Sequence, residues 1–392
     1  MTLIGFAARN LLRNKLRTGL TILGVAVAML TFLLLRTLLS AWTVGADYAA
    51  RDRVVTRHKV TFVMSLPKRY MDDVTAIPGV RTATFANWFG GKDPSHPNDF
   101  FATLAVDPKT FLTVYDELEV PSDALATWQT NRTGALVGDQ LAKKFGWKVG
   151  DRVSLESGIF PSPPDKPWTF TIDGIYTTSS KFVDRMSFYF HWDYMNESLP
   201  EVRKDEIGWI ISRVDDPKRA ADIGLAIDRA FESKDTQTLS QDERSFNTSF
   251  LAGISAVLSA INIVSLAILV IMMLVLGNTV AMGVRERTNE YGVLRAVGFE
   301  PKHIVLFILG ESMFTGVLGG LVGIAFGYPV INQGLGRWLE ENMGQFFPYF
   351  RMGMGDLALA AAIAMALGAG AAILPARGAA RLRVTDALRR VA

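Results

Sequence analysis

Apolar residues along this chain gather into four long blocks. The first covers 18–35, is interrupted by Arg36, and is extended by Leu38, Leu39 and Trp42. The second covers 245–284 without one charged residue. The third covers 304–330, with Glu311 inside it, and the fourth covers 357–376 with no charge. At about 1.5 Å per residue, each block is long enough to cross a hydrocarbon layer of about 30 Å. A signal peptide would have a shorter apolar region followed by a small-residue cleavage site, so the first block reads as an uncleaved anchor. The second is too long for one perpendicular crossing. Its crossing is predicted over 256–282, with the preceding turns projecting as a stalk.

The basic residues set the orientation. Arg9, Arg13, Lys15 and Arg17 precede the first block, and Arg285, Arg287, Arg295 and Lys302 separate the second from the third. Arg377, Arg381, Arg383, Arg389 and Arg390 follow the fourth. Between the third and fourth blocks, Arg337 and Arg351 are balanced by Glu340, Glu341 and Asp356. In a four-span layout the three basic segments share one side, which places both termini in the cytoplasm. Arg36 then belongs near the outer interface, its stem along lipid and its head in water.

The predicted organisation follows. A cytoplasmic amphipathic segment covers 1–17, and the four spans are 18–44, 246–284 with its stalk, 304–330 and 357–376. An extracytoplasmic domain covers 45–245, a cytoplasmic loop 285–303, a short outer loop 331–356 and a cytoplasmic tail 377–392. Within the large domain, strand-like runs occur at 59–64, 100–106, 169–176 and 207–214. Helical patterns occur at 68–76, 138–145 and 217–232, the last opening on Pro217 at a tolerated first-turn position. Strands interleaved with helices indicate a mixed α/β domain. The proline-rich stretch 160–167 reads as an exposed loop.

Composition narrows the chemistry. The net charge of +3 does not argue for nucleic acid, and the absence of cysteine excludes disulfides, thiolate catalysis and cysteine metal sites. The sequence has no GxxxxGK[ST], HExxH or GxSxG motif; Gly90, Gly91, Lys92 and Asp93 lack the upstream glycine and hydroxyl of a phosphate loop. His58, His96, His191 and His303 stand apart, and the acidic pairs Asp72–Asp73 and Asp215–Asp216 read as capping or solvated residues. No catalytic, metal or cofactor site is expected in the chain.

The third block carries Gly316, Gly319, Gly320, Gly323 and Gly327, which form overlapping pairs four residues apart. In lipid, close backbone approach drives helix association, so this stripe is expected to face another helix, with the alanine-rich fourth span a natural partner. Glu311 is an intramembrane acid and is expected to have a structural or coupling role. The loop after the second span is expected to form a short helix from Thr288, stopped by Gly298 and Pro301. Glu286 and Glu290 fall on one face, and Arg287, Tyr291, Leu294 and Arg295 on another. An exposed Tyr291–Leu294 face would suit docking to a cytoplasmic partner, with Arg285 beside it.

This loop, RERTNEYGVLRAVGF from Arg285 to Phe299, resembles the signature of MacB/FtsX-type ABC transporter permeases, the mechanotransmission class. The opening ARNLLRNKLRTGLTILGVAVA at 8–28, the closing LPARGAARLRVTDALR at 374–389 and the glycine stripe behind Glu311 are similar to that family. IPGV at 77–80 and GALVGDQLAKKFGWKVGDRVSL at 134–155 resemble its periplasmic core domain. The resemblance implies a bacterial inner-membrane permease that pairs with a second copy or a related permease. It also implies a separate cytoplasmic ATPase that binds ATP and magnesium, because MacB carries a fused ATPase domain ahead of its first span and this sequence opens on the span. Movement would pass through the loop and stalk to the outer domain. The leading role is efflux or extrusion, with a periplasmic adaptor and outer-membrane channel as further partners. Lipoprotein release, as in LolC/LolE, and activation of cell-wall hydrolases, as in FtsX, are the alternatives.

Overall fold

The computed structural model describes residues 15–47, 50–162, 167–180, 183–253, 255–344 and 347–381. The amphipathic segment expected over 1–17 falls outside them up to residue 14, as do the tail from 382 and residues 163–166 of the proline-rich stretch. The chain divides into two compact units, one of membrane-type helices and one built on a sheet.

Four described helices are long and apolar enough to cross a membrane: Lys15–Trp42, Ser255–Glu286, Pro301–Asn342 and Met354–Ala380. The second has 32 residues, which at 1.5 Å per residue gives about 48 Å, well beyond a hydrocarbon core of about 30 Å. Apolar residues lie on every side of it, as a lipid-facing helix requires. The third differs from the loop expected over 331–356. Its α-helix runs Pro301–Pro329, passes into a π-helical turn over Val330–Leu335, and continues as Gly336–Asn342. Pro329 lacks the backbone donor for the ordinary ladder, and the π-turn widens the helix there without ending it. Asn332 Oδ1 accepts from the Met352 amide at 2.9 Å, which holds the returning chain against this turn.

The glycine stripe of the third helix serves two neighbours. A Cβ on Gly316 would lie 2.7 Å from the Ala364 carbonyl oxygen, and Gly320 abuts the Ala364 side chain. Gly319 and Gly323 abut the first helix, where a Cβ on Gly323 would lie 2.7 Å from the Ala26 carbonyl oxygen. Gly327 faces Leu33 with room to spare. Successive helical residues are about 100° apart, so the two sets occupy adjoining faces. Ser312 Oγ donates to the Gly368 carbonyl at 2.6 Å and adds a buried polar link to the fourth helix. Arg36 lies 3.5 Å from Asp356, in the first turn of the fourth helix, and is half exposed.

The other unit is a mixed α/β domain. Among the described residues, eleven strands form one sheet. From one edge ten of them run Thr238–Asp242, Arg53–His58, Trp209–Val214, Val80–Trp88, Thr103–Val106, Phe188–His191, Gly134–Gly138, Trp168–Thr178, Arg152–Ser157 and Gly91–Lys92, and the eleventh, Leu118–Glu119, pairs off this path with Trp168–Thr178. Pairing is antiparallel except where Phe188–His191 meets Thr103–Val106 and Gly134–Gly138 meets Trp168–Thr178. An aromatic cluster fills the core, with Phe89 edge-on to Trp168 at 5.5 Å and to Phe190 at 5.0 Å.

The strand expected over 59–64 is displaced. The strand is Arg53–His58, and its arginines hide it from an apolar count. It lies between two partners whose pairing ends at Arg57 on one side and His58 on the other, so the chain beyond has no ladder to join. Val60 and Val63 are exposed there. Arg53 itself is buried: its Nε donates to Glu243 at 2.7 Å, and Nη1 and Nη2 donate to Glu117 at 3.0 and 2.7 Å. Glu243 also accepts from the Ala50 amide at 3.2 Å, so one cluster ties the chain's entry to the domain to its exit. Burial opposes the Arg53 charge, but the carboxylates outweigh it and raise its pKa; burial likewise raises Glu243.

The four histidines are each used locally. His58 Nδ1 accepts from the Val60 amide, His96 pairs with Asp93, His191 meets the Trp128 carbonyl, and His303 caps Glu300. Asp216 caps Lys218, Asp215 meets Arg81, and Asp73 meets Lys234.

Candidate functional site

The loop between the second and third membrane helices is the most charged part of the helical unit. The long helix ends at Glu286, and a second helix, capped by Arg287, follows at Thr288–Ala296. Gly298 has φ of 109°, a left-handed conformation that suits glycine and reverses the chain. Glu300 and His303 then form a reciprocal cap on the third helix, with Pro301 in its first turn.

Two forked ion pairs fix this loop. Arg287 Nη1 and Nη2 donate to Glu311 Oε2 and Oε1 at 2.7 and 2.8 Å. Arg17 Nη1 and Nη2 donate to Glu286 Oε2 and Oε1 at 2.8 and 2.7 Å. The first pair joins the loop to the third helix, and the second joins the first helix to the end of the second. Both border a cavity of about 300 Å³, shared with Thr21, Thr279, Ser312 and Thr315. Burial opposes the Arg287 charge, yet Glu311 raises its pKa, so the guanidinium stays charged. Arg295 reaches the Ala380 carbonyl at 3.5 Å, at the end of the fourth helix.

The face expected to dock a partner is turned inward. Tyr291 is buried, packed with Val284, Ile304, Ile308, Ala372, Ala376 and Ala379, and Leu294 lies against the same cluster. Burial raises the Tyr291 hydroxyl above its ordinary value. An aromatic ring at the foot of a membrane bundle gains more from apolar neighbours than from water. The outward face carries Asn289, Glu290, Val293 and Val297, followed by Phe299; Val293 is 52% and Val297 74% exposed. Arg285 is exposed as well. Among the described residues there is no group of His, Cys, Asp and Glu able to hold a metal ion.

Charge balance held the missed signal. A carboxylate within an apolar span needs a partner, and the nearest basic cluster in sequence contains Arg287. The Arg17–Glu286 pair had no comparable signal, because a separation of 269 residues leaves no spacing to read.

The model of the MacB-like periplasmic core domain matches residues 18–230, more than half of the chain, and that of the FtsX-like permease C-terminal domain matches 262–384. The chain belongs to the MacB/FtsX family of ABC transporter permeases. This permease is a multi-pass membrane protein. It is 23% identical over 349 residues to an uncharacterised ABC transporter permease of Methanocaldococcus jannaschii, covering 83% of this chain and 82% of that one. It is 25% identical to the pyoverdine export ATP-binding/permease protein PvdT of Pseudomonas fluorescens, over 96% of this chain and 57% of that protein. It is 24% identical to the lipoprotein-releasing system transmembrane protein LolC of Neisseria meningitidis, over 65% and 64% of the two chains. The crystal structure of the periplasmic region of MacB from Actinobacillus actinomycetemcomitans covers 51% of this chain and 92% of its own, with a TM-score of 0.37 and 7% identity.

Proposed function

We propose that this permease works in a bacterial inner membrane, with both termini cytoplasmic, as the membrane subunit of an efflux or extrusion system powered by a separate ABC ATPase. The supporting observation is the loop of residues 285–303. It is held to the helix bundle by the Arg287–Glu311 pair and presents Glu290, Val293 and Val297 outward. A force applied to that outward face reaches the third helix through a forked ion pair and the long second helix through a continuous backbone. ATP binding in the partner would close its dimer, shift two permease copies, and move their α/β domains on the far side. Substrate is then handled outside the membrane.

Efflux is preferred over lipoprotein release because the match to the pyoverdine exporter runs over 96% of the chain, against 65% for LolC. The test is affinity purification of the tagged full-length chain from its native membrane, followed by identification of its companions. An ABC ATPase together with a periplasmic adaptor and outer-membrane channel is the expected result. An ATPase with a cell-wall hydrolase, or with retained lipoproteins, would replace efflux by the corresponding alternative. Recovery without any ATPase would overturn the proposal.

A further inference from the structure

Beside the contact of the second and fourth membrane helices lies an open groove of about 930 Å³. Its walls are small and apolar: Gly277, Ala281, Gly370, Ala371 and Gly378 leave the channel that Leu274 and Leu374 border. Three polar residues interrupt it, and one of them, Thr288, already donates to the Val284 and Arg285 carbonyls. Asn278 projects from the second helix with no hydrogen-bond partner among the described residues, and Arg285 closes the end of the groove with no ion-pair partner among them. Arg287 and Arg17, nearby in the same helical unit, are both engaged by carboxylates, which leaves Arg285 as a contrasting open cation.

We infer that this groove binds one anionic phospholipid, with an acyl chain along the glycine–alanine walls, the phosphate on Arg285, and Asn278 donating to an ester carbonyl. The spacing fits. Asn278 and Arg285 stand seven positions apart, which places them on one helix face and about 10 Å apart along the axis. The donor therefore lies deeper than the cation, as an ester lies deeper than its phosphate. An amide in hydrocarbon without a partner is costly, so the site calls for an occupant with an acceptor at that depth. Basic pockets between membrane helices recognise anionic head groups by this charge arrangement. A second copy docked face to face on the same groove would bring two Arg285 side chains together, so charge favours the lipid.

The inference goes beyond the transport reading and is tested without an ATPase. Native mass spectrometry of the purified full-length chain would compare retention of phosphatidylglycerol and phosphatidylcholine. The wild type should retain the anionic lipid preferentially. Arg285→Gln should weaken that retention about fivefold, the scale of one basic residue at an anionic surface. Arg285→Lys should keep most of it and controls for folding. Gly378→Leu fills the groove where a Cβ meets nothing within 4 Å, and should displace the chain without disturbing the helices. Equal retention of both lipids, or phosphatidylglycerol binding unchanged by both Arg285→Gln and Gly378→Leu, would overturn the inference. The chain has no cysteine, so Leu374→Cys offers a clean probe. Efficient disulfide formation between copies at that position would assign the groove to a dimer and also overturn it.

Discussion

Arg287 and Glu311 meet through two parallel hydrogen bonds of 2.7 and 2.8 Å, across 24 residues of chain and at the foot of the third membrane helix. The pair is a direct polar link from the charged loop to the third helix. Both side chains are mostly buried, at 15% and 22% exposure, so either charge alone would be poorly hydrated. Arg287→Met or Glu311→Leu should each cost about 1–3 kcal/mol, measured by thermal unfolding in detergent. The double replacement should recover much of that stability, because no charge is stranded. It should not recover substrate-stimulated ATP hydrolysis in the reconstituted complex. Recovery of both would reduce the pair to a structural role.

The two-sided glycine stripe separates tolerant from intolerant positions. Gly316→Val and Gly323→Val would drive a side chain into the backbone of the fourth and first helices, and should abolish correct assembly, read as loss of a monodisperse peak on size exclusion. Gly327→Ala should be neutral, since its added methyl lies 3.6 Å from Leu33. Equal sensitivity at Gly323 and Gly327 would contradict the packing described.

In the α/β domain the Arg53 cluster makes a comparable test. Arg53→Met leaves Glu117 and Glu243 buried without their cation, and should destabilise the domain by about 3–5 kcal/mol. Arg53→Lys should restore only part of this, because an ammonium cannot serve two carboxylates through a planar fork. Limited proteolysis near residue 243 reads the loss directly.

Asp173 gives the domain a pH dependence. Its Oδ1 accepts from Asn131 at 3.0 Å while its buried Oδ2 lacks a partner among the described residues, and burial raises its pKa above the ordinary carboxylate value. The folded state therefore holds this proton more tightly than the unfolded chain. Stability declines as pH rises from the unfolded value through the raised one, and the penalty is complete above the raised value. Asp173→Asn should raise the unfolding temperature at pH 7–8, with the advantage fading near pH 4. An advantage independent of pH would show that the charge is not its source.

Much of this architecture is legible in the sequence because membranes impose strong rules: four apolar blocks and a repeated small-residue spacing need no tertiary information. The short helix ahead of Gly298 is legible for a similar reason, since a glycine stop followed by proline is local. What escaped was set by distant partners. The strand Arg53–His58 reads as polar because its arginines answer carboxylates far along the chain, at Glu117 and Glu243. Tyr291 reads as exposed on a charged helix, yet the neighbours that bury it, Ile304 and Ala376 among them, belong to other helices.

The outward face of the loop helix carries the central claim, that a separate ATPase acts there. The most direct measurement is co-purification of that ATPase with the full-length permease bearing Val293→Glu and Val297→Glu. Both residues are exposed, so the variant should fold, enter the membrane and unfold at the wild-type temperature. It should lose most of its bound ATPase, while Val202→Glu, an exposed position in the α/β domain, should retain it. Undiminished recovery of ATPase with the doubly substituted loop would contradict the account.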